Sequence, residues 1–322
     1  MLRVVNLLLI CLSIFFLTNC KKDSLNSTSN WKLIQSPFKG NLVDVNFLNA
    51  DTGYILGINQ EVGNYFNVLL RTEDGGSTWS IKTFPVPEAG GVGELFALNA
   101  NDIYTGFYSV FRSTDGGASW KNLDTSLTSA SAYISKIDFT DSTNRILLKG
   151  NVVYKYDGTH FQPLFVNPIV TSYNDFQRVS NSVLYASSGI FPSYGSLTKS
   201  SDGGITWKNL SFNLGFINSF YFISENIGYV MVGYNIYQTI DGGISWQKQN
   251  NATLKFNTGK INFINKQEAF WITPFDGIYH SLDEGKNWQL EKIYDSIQLN
   301  KIFINQDRIF IIGSKGSIIT NK

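Results

Sequence analysis

The feature that most constrains the fold of this chain is an eight-residue pattern, Ser/Thr-x-Asp-Gly-Gly-x-x-Trp, that recurs along its 322 residues. Good copies occupy residues 72–79, 113–120, 200–207 and 239–246, and a weakened copy, SLDEGKNW, occupies 281–288. A decayed copy at 156–161, YDGTHF, is shorter and ends in Phe161 instead of tryptophan. Five copies of so long a pattern, four good and one weakened, are not a chance event, so the fold must be built from repeats.

Each part of this box has a structural reason. An Asp side chain can accept hydrogen bonds from backbone N–H groups of its own turn. The glycines permit positive φ where the chain reverses, and the Trp buries a large apolar area between neighbouring elements. We therefore interpret the boxes as rigid hairpin turns, in preference to catalytic or Ca²⁺-binding sites. The residues assigned to these structural roles are Asp74, Gly76, Trp79, Asp115, Gly117, Trp120, Asp202, Gly204, Trp207, Asp241, Gly243, Trp246, Asp283, Gly285 and Trp288.

The spacing of the boxes indicates the size of the repeat. Successive box aromatics are 39 to 46 residues apart, and Trp31 precedes the first box tryptophan, Trp79, by 48 residues. A period near 40 residues made of short strands is typical of propeller blades. The fold class is therefore all-β, a seven-bladed β-propeller. We predict first strands at 42–47, 94–98, 133–139, 174–179, 217–222, 259–263 and 298–304.

Ring closure supports the count of seven. Residues 316–322 predict a third strand that reaches the first residue of a box, and residues 30–33 predict the end of a box and a fourth strand. We expect the N-terminal strand to pair with the C-terminal blade, which covers two otherwise exposed strand edges.

The first residues read as a targeting segment. Arg3 precedes an apolar run from Val4 to Leu17, which is too short for a membrane span of about 20 residues. Leu17-Thr18-Asn19-Cys20 resembles the lipobox of bacterial lipoproteins, in which the Cys becomes lipidated, although Asn19 departs from the usual small residue. The following Lys21-Lys22-Asp23 is similar to lipoproteins of the Bacteroidota. We expect a signal peptide at 1–19, a lipidated Cys20 with a flexible tether to residue 30, and a propeller at 31–322; an ordinary secretory signal is the alternative.

The box resembles the Asp-box of bacterial neuraminidase repeats. The longer unit GYxxG…GxIxxTxDGGxxW is similar to the photosystem II assembly factor family of seven-bladed propellers, from Trp31 to Lys322. The matching residues are structural turns, so the resemblance is specific for the fold and weak for function. It implies a non-enzymatic role in binding or assembly. From the lipobox we expect a protein that is lipid-anchored to the outer membrane, on a side that the sequence leaves open.

The enzymatic alternative is a sialidase or another glycoside hydrolase. A sialidase needs three arginines that converge on the substrate carboxylate, and we place all five arginines of the propeller towards the boxes, away from the usual ligand side. These are Arg71, Arg112, Arg145, Arg178 and Arg308. A two-carboxylate hydrolase stays open, because several acids can lie on the loop side, with no spacing that pairs them: Glu61, Asp124, Asp175, Asp276 and Asp295.

Other chemistry finds little support. His160 lies in the decayed box and His280 directly before a box, and the only cysteines are Cys11 and Cys20, so we expect no metal and no cofactor. Loss of residues 1–19 removes one of 26 basic residues and balances the 25 acidic ones, which argues against nucleic-acid binding.

The functional signal lies where the repeat lengthens. The excess residues fall between second and third strands, at 58–67 and 188–196, and insertions on one side of a repeat protein often mark its binding face. We predict a binding face on a monomer that contacts another envelope protein, with a glycan or lectin-like role as the alternative. Its aromatic candidates, whose other role is to hold their own loops, are Tyr65, Phe66, Phe191 and Tyr194, with Tyr173 from a neighbouring loop.

Overall fold

The computed structural model describes residues 30–61, 64–84, 93–123, 127, 132–140, 142–168, 170–190, 194–210, 214–249, 259–275, 277–305 and 308–321. In these residues the strands form seven four-stranded antiparallel sheets, so the prediction of a seven-bladed β-propeller is confirmed. The described residues contain no helix that is long and apolar enough to span a membrane.

Each blade is a meander of four consecutive strands. Blade 1 contains β2 (Asn41–Phe47), β3 (Gly53–Glu61), β4 (Asn64–Thr72) and β5 (Ser80–Phe84). Blade 2 contains β6 (Glu94–Ala97), β7 (Ile103–Gly106), β8 (Val110–Ser113) and β9 (Lys121–Asn122). Blade 3 contains β10 (Ile134–Asp138), β11 (Arg145–Lys149), β12 (Val152–Tyr156) and β13 (Phe161–Val166). Blade 4 contains β14 (Tyr173–Arg178), β15 (Leu184–Ile190), β16 (Tyr194–Ser200) and β17 (Lys208–Leu210).

The remaining blades repeat this pattern. Blade 5 contains β18 (Ile217–Phe222), β19 (Gly228–Val232), β20 (Asn235–Thr239) and β21 (Gln247–Gln249). Blade 6 contains β22 (Lys260–Phe263), β23 (Ala269–Thr273), β24 (Gly277–Ser281) and β25 (Gln289–Lys292). Blade 7 contains β26 (Leu299–Asn305), β27 (Arg308–Gly313), β28 (Ser317–Thr320) and, as its outer strand, β1 (Lys32–Gln35); a short 3-10 helix, Ser314–Gly316, joins β27 to β28.

The predicted closure is present. β1 pairs antiparallel with β28, with Lys32 opposite Thr320 and Gln35 opposite Ser317. The two ends of the propeller thus share one sheet, and four backbone pairs join them.

The hydrophobic core lies between the blades. Phe47 of blade 1 stacks on Phe310 of blade 7, with ring centroids 4.5 Å apart. Tyr54 of blade 1 is fully buried and its hydroxyl donates to the Ala100 carbonyl oxygen of blade 2 at 2.9 Å. Because neighbouring blades share each cluster, no blade can bury its apolar faces alone.

The boxes have the predicted turn geometry. In the first box the Asp74 carboxylate accepts hydrogen bonds from the Thr78 backbone N–H at 2.8 Å and from the Thr78 hydroxyl at 2.6 Å. Gly75 and Gly76 have φ of 66° and 88°, and the indole of Trp79 donates to the Gly76 carbonyl oxygen at 3.1 Å. The boxes at Asp115, Asp202, Asp241 and Asp283 repeat the carboxylate contacts. Every box carboxylate is thus occupied by its own turn.

This geometry predicts acid sensitivity. Hydrogen bonds from Thr78 lower the pKa of Asp74 to about 2, and Ser119 and Ser245 do the same for Asp115 and Asp241. A pKa lowered in the folded state gives stability that is present above about pH 4 and is lost as the pH falls towards 2. We therefore expect the urea midpoint to fall steeply between about pH 4 and about pH 2.5. The double variant Asp74→Asn, Asp115→Asn should have a lower urea midpoint at neutral pH, and its midpoint should fall less between about pH 4 and about pH 2.5. A midpoint that falls as steeply with pH as in the wild type would contradict this role.

Candidate functional site: the loop face and the channel mouth

The strand order gives the ring two different faces. The first strand of each blade runs towards the side of the ring that carries the boxes. The boxes form hydrogen bonds with the turns that follow the first strands; for example, the Gly75 N–H donates to the Asp51 carbonyl oxygen at 2.8 Å. We call this side the box face. The opposite side, where second strands turn into third strands and one blade connects to the next, is the loop face.

The two lengthened repeats are strand extensions and not separate loops. In blade 1 the β3–β4 pairing continues to Glu61 opposite Asn64, and in blade 4 the β15–β16 pairing continues to Ile190 opposite Tyr194. Both hairpins project from the loop face, as predicted. Phe191 and the side chains of Tyr65, Phe66 and Tyr194 lie outside what the structure describes, so their role in binding stays a prediction.

Tyr173 does not belong to an exposed face. Its side chain is 2% exposed and packs with Val170 and Phe176 between blades 3 and 4. Burial raises the pKa of its phenol to about 12. The prediction that Tyr173 contributes to a binding surface is therefore wrong, because the side chain at the start of this first strand points into the interface between blades.

Other aromatics, missed from the sequence, are exposed on the loop face. Tyr133 is 48% exposed and lies against Phe107 and Tyr108, with ring centroids 4.6 and 4.8 Å away. Tyr234 and Phe275, in the turns between second and third strands of blades 5 and 6, are 52% and 70% exposed. Large exposed aromatics suit protein contacts. These turns have ordinary lengths, so no insertion in the repeat marks them.

The first strands carry a ring of polar residues near the loop-face end of the central channel, which we call the charge ring. In five blades the member is the first paired residue after a bulge in the first strand. In blades 2 and 6 it is the first residue of a first strand that has no such bulge. In each case a buried apolar residue follows. The members, from blade 1 to blade 7, are Asp44, Glu94, Lys136, Asp175, Ser219, Lys260 and Lys301.

Three ion pairs connect this ring. Lys136 Nζ lies 3.2 Å from Glu94 Oε2, and Lys260 Nζ lies 3.0 Å from Asp175 Oδ2. Lys301 pairs with Asp44, which is 1% exposed. Six of the seven members line a cavity of about 350 Å³. The ring therefore carries three acidic and three basic side chains, of which all but Asp44 line the cavity.

Burial and charge act against each other in the ring. Burial raises the pKa of Glu94, and the nearby Lys136 and Lys301 do not fully offset it. Burial disfavours the Lys136 ammonium, but the charges of Glu94, Asp44 and Asp175 outweigh it, so its pKa is raised. Burial likewise works against the Asp175 carboxylate, yet Lys260 and Lys136 hold its pKa below the ordinary value. Attraction between opposite charges therefore outweighs the cost of burial at Lys136 and Asp175, but not at Glu94.

The arginines have structural partners towards the box face, as predicted, and do not converge. Arg112 binds both oxygens of Asp102 at 2.7 and 2.8 Å. The other contacts are Arg71 with Glu73, Arg145 over the Phe139 ring, Arg178 with Asp138, and Arg308 with the Gly75 carbonyl oxygen. No three-arginine carboxylate site forms among these five described residues.

The five acids predicted on the loop side also do not form a described pair. Asp175 lies in the charge ring and Asp295 is exposed. Asp124, Asp276 and the side chain of Glu61 lie outside the described residues. Within the described part of the protein, no group of three His, Cys, Asp or Glu side chains is placed to hold a metal ion.

The two histidines have structural environments. In the shortened turn the Asp157 carboxylate accepts from the backbone N–H of Thr159 and of His160, so His160 fills a turn as predicted. His280 is buried between two carboxylates, Glu291 at 2.7 Å and Glu268 at 3.0 Å. Burial disfavours its charged form, but the two hydrogen bonds outweigh this and raise the pKa of His280 to about 9.

Comparison with known proteins finds similarity to photosystem II assembly factors in sequence and in fold. The family model of the photosynthesis system II assembly factor Ycf48 matches residues 23–93. The photosystem II assembly lipoprotein Ycf48 of Synechococcus sp. (strain CC9902) is 23% identical over 98% of this chain and 96% of its own length. A solved structure of Ycf48 bound to a D1 peptide has a TM-score of 0.72 at 19% identity and covers 90% of this chain and 94% of that one.

The same fold also occurs in an enzyme. The GH74 xyloglucanase from Xanthomonas campestris has a TM-score of 0.62 at 14% identity, over 82% of this chain and 50% of its own. At this identity the likeness concerns the fold alone, since function depends on site residues and not on the architecture.

Proposed function

We propose that this propeller, a relative of the photosystem II assembly factors, is a non-enzymatic lipoprotein of the cell envelope that binds a protein partner through its loop face. The observation that carries the proposal is the similarity of nearly the whole chain to an assembly lipoprotein, together with a relative solved in complex with a peptide. The exposed aromatics of the loop face supply the contact surface, and the acidic residues of the channel are engaged in ion pairs.

The proposed anchor sets the orientation of the binding face. β1 begins at Lys32 opposite Thr320, the residue that leads into a box position, so the polypeptide enters the propeller at the box face. A tether from a lipidated Cys20 to residue 30 can extend at most about 40 Å. We infer that the box face lies towards the outer membrane and that the loop face points away from it, where a partner has access.

The proposal predicts that loop-face aromatics are needed for partner recovery. Tyr133→Ala with Tyr234→Ala should reduce copurification of crosslinked proteins from intact cells at least ten-fold, because aromatic residues at an interface often contribute about 1–2 kcal/mol each and about 1.4 kcal/mol is a factor of ten. The measurement is quantitative mass spectrometry of crosslinked, affinity-purified protein, compared with the wild type.

Ile205→Ala with Ile244→Ala is the matched control, since both isoleucines are exposed in boxes on the opposite face. This control should leave the recovered partners unchanged. Equal losses from both double variants, or none from the tyrosines, would contradict a loop-face site. Hydrolysis of aryl glycosides by the lipid-free protein would contradict the non-enzymatic role.

A further inference from the structure

Two cavities meet on the loop-face side of blades 5, 6 and 7. The channel cavity of about 350 Å³ and a second cavity of about 280 Å³ are both lined by Lys260 and Asn300. Lys260 therefore stands between a polar channel and a neighbouring pocket, and one extended ligand can reach both.

The second cavity has both apolar and polar walls, the polar side chains being Asn218, Gln298, Asn300 and Lys260. Phe216, Ile272, Pro274 and Leu299 contribute to its walls, and Phe275 follows Pro274 with 70% of its side chain exposed. Its volume lies below the range of about 300–1,000 Å³ that is usual for sites of drug-sized ligands. This size fits one apolar side chain of a peptide better than an entire small-molecule ligand.

The charge of this sector is positive. Lys260 and Lys301 are 42% and 29% exposed, whereas the buried partner of Lys301, Asp44, is 1% exposed. Lys39, Lys292 and Lys315 lie exposed in the loop-face connections of blades 6 and 7. Among the described residues of these connections, Asp295 is the exposed acid. The exposed side chains of this sector therefore carry more positive than negative charge, and Asp175, which is 32% exposed, is the carboxylate next to Lys260.

Lys260 has capacity for a second carboxylate. An ammonium group has three N–H donors, and among the described residues the acidic partner of Lys260 is Asp175, at 3.0 Å. Asn300 lies beside it, and its side-chain amide donates to the Leu42 carbonyl oxygen at 2.8 Å, which fixes its orientation. An incoming carboxylate can thus share Lys260 with Asp175 and need not break the ion pair.

We propose that this sector binds an extended peptide segment that carries a carboxylate beside an apolar side chain, with the carboxylate on Lys260 and the apolar side chain in the pocket formed by Phe216, Ile272, Pro274 and Leu299. This inference rests on the proposed function, and it specifies which chemical groups of the partner are recognised. The carboxylate comes from the free C-terminus of a polypeptide or from an Asp or Glu side chain.

Two peptide display libraries separate these sources. Both contain about ten random residues, whose extended length of about 35 Å is ample to cross the two cavities; one ends in a free C-terminus and the other is followed by a carrier domain that caps it. Selection on the wild-type propeller should enrich a carboxylate beside a Leu, Ile, Val or Phe. Enrichment in the free-end library alone identifies a terminal carboxylate, and enrichment of Asp or Glu in both identifies a side chain. No enrichment in either library would overturn the proposal.

Charge variants give effects of opposite sign. Lys260→Gln should weaken binding of an enriched, fluorescein-labelled peptide about ten-fold, since it removes a charge-assisted hydrogen bond. Asp175→Asn should strengthen the same binding, because it removes a negative charge that repels the incoming carboxylate and leaves the charge of Lys260 unbalanced. Lys208→Gln, on the exposed outer strand of blade 4, is the control and should change nothing.

A fold defect cannot produce this pattern, because it would weaken binding in both channel variants. Equal affinity of wild type and Lys260→Gln, or weaker binding of Asp175→Asn, would overturn the assignment. If Lys260→Gln retains all partners crosslinked in cells while the Tyr133 and Tyr234 variant loses them, this inference fails and the proposed function stands.

Discussion

A protein that lacks residues 30–35 is expected to lose cooperative folding. These residues form β1, whose removal exposes the backbone edge of β28 and leaves blade 7 with three strands. Ile34 also packs against the cluster that joins blade 7 to blade 1, which includes Phe310 and Ile318. Since domains of this kind are stable by only about 5–15 kcal/mol, loss of the closing strand should abolish the thermal transition seen by calorimetry, or broaden it beyond a two-state fit.

A permuted variant is the matched control for this deletion. It begins at Ser36, continues to Asn321, and then carries the four residues Asp-Gly-Gly-Ser followed by residues 30–35. Thr320, Asn321, the four inserted residues, Asn30 and Trp31 then complete one full box, and β28 and β1 become consecutive strands. We expect this variant to regain a single sharp transition within a few degrees of the intact propeller. A deletion variant that melts as sharply as the intact protein would contradict the role of β1 in closure.

His280→Ala is expected to be among the most destabilising single substitutions. It leaves Glu268 and Glu291, whose side chains are 12% and 11% exposed, without the cation between them. It also removes the ring that stacks on Phe270 at 4.3 Å. Breaking a buried pair by removal of one partner costs about 3–5 kcal/mol. Urea unfolding at neutral pH measures this change, and a loss below about 1 kcal/mol would contradict the importance of the buried cation.

The triple variant His280→Ala, Glu268→Gln, Glu291→Gln separates charge from packing. Neutral amides remove the unpaired negative charges, so this variant should recover at least half of the lost stability. Glu291 also accepts a hydrogen bond from the Trp31 indole at 2.7 Å, so the same cluster joins the N-terminal segment to blade 6. A triple variant less stable than His280→Ala alone would show that the charges are not the cause.

The pH dependence of this site has a definite sign. The folded-state pKa of His280 is raised to about 9 from an ordinary 6.5. The stability that it contributes is therefore fully present below about pH 6.5 and is lost as the pH rises through about 9. On this basis the wild type should lose about 3 kcal/mol between these values, and the triple variant should lose much less over the same range.

The fold could be predicted because its determinants are local and repeated. Each box needs only eight residues, and the interval between boxes is the length of a blade. Closure of the ring could also be predicted, because residues 30–33 and 316–322 are complementary parts of one hairpin. The sequence does not distinguish the strand extensions in blades 1 and 4 from inserted loops, since a paired hairpin arm and a loop of the same length differ only in their strand register.

The candidate site was harder to predict because its residues are far apart in sequence. The charge ring becomes visible only when the seven first strands are aligned, as in LVDVNF, SKIDF and NKIFI, where a polar residue precedes a buried apolar one. Single strands do not show that Lys260 faces Asp175. The error at Tyr173 has the same origin, since burial between blades depends on the direction of a side chain at the start of a strand.

Site-specific photocrosslinking in intact cells tests most directly whether a partner binds through the loop face. A photoreactive amino acid is placed at Tyr133 or Tyr234 on the loop face, and at Ile205 or Ile244 on the box face. Binding through the loop face predicts discrete protein adducts from the loop-face positions and none from the box-face positions. Adducts that form only from the box face, or equally from both faces, would contradict it.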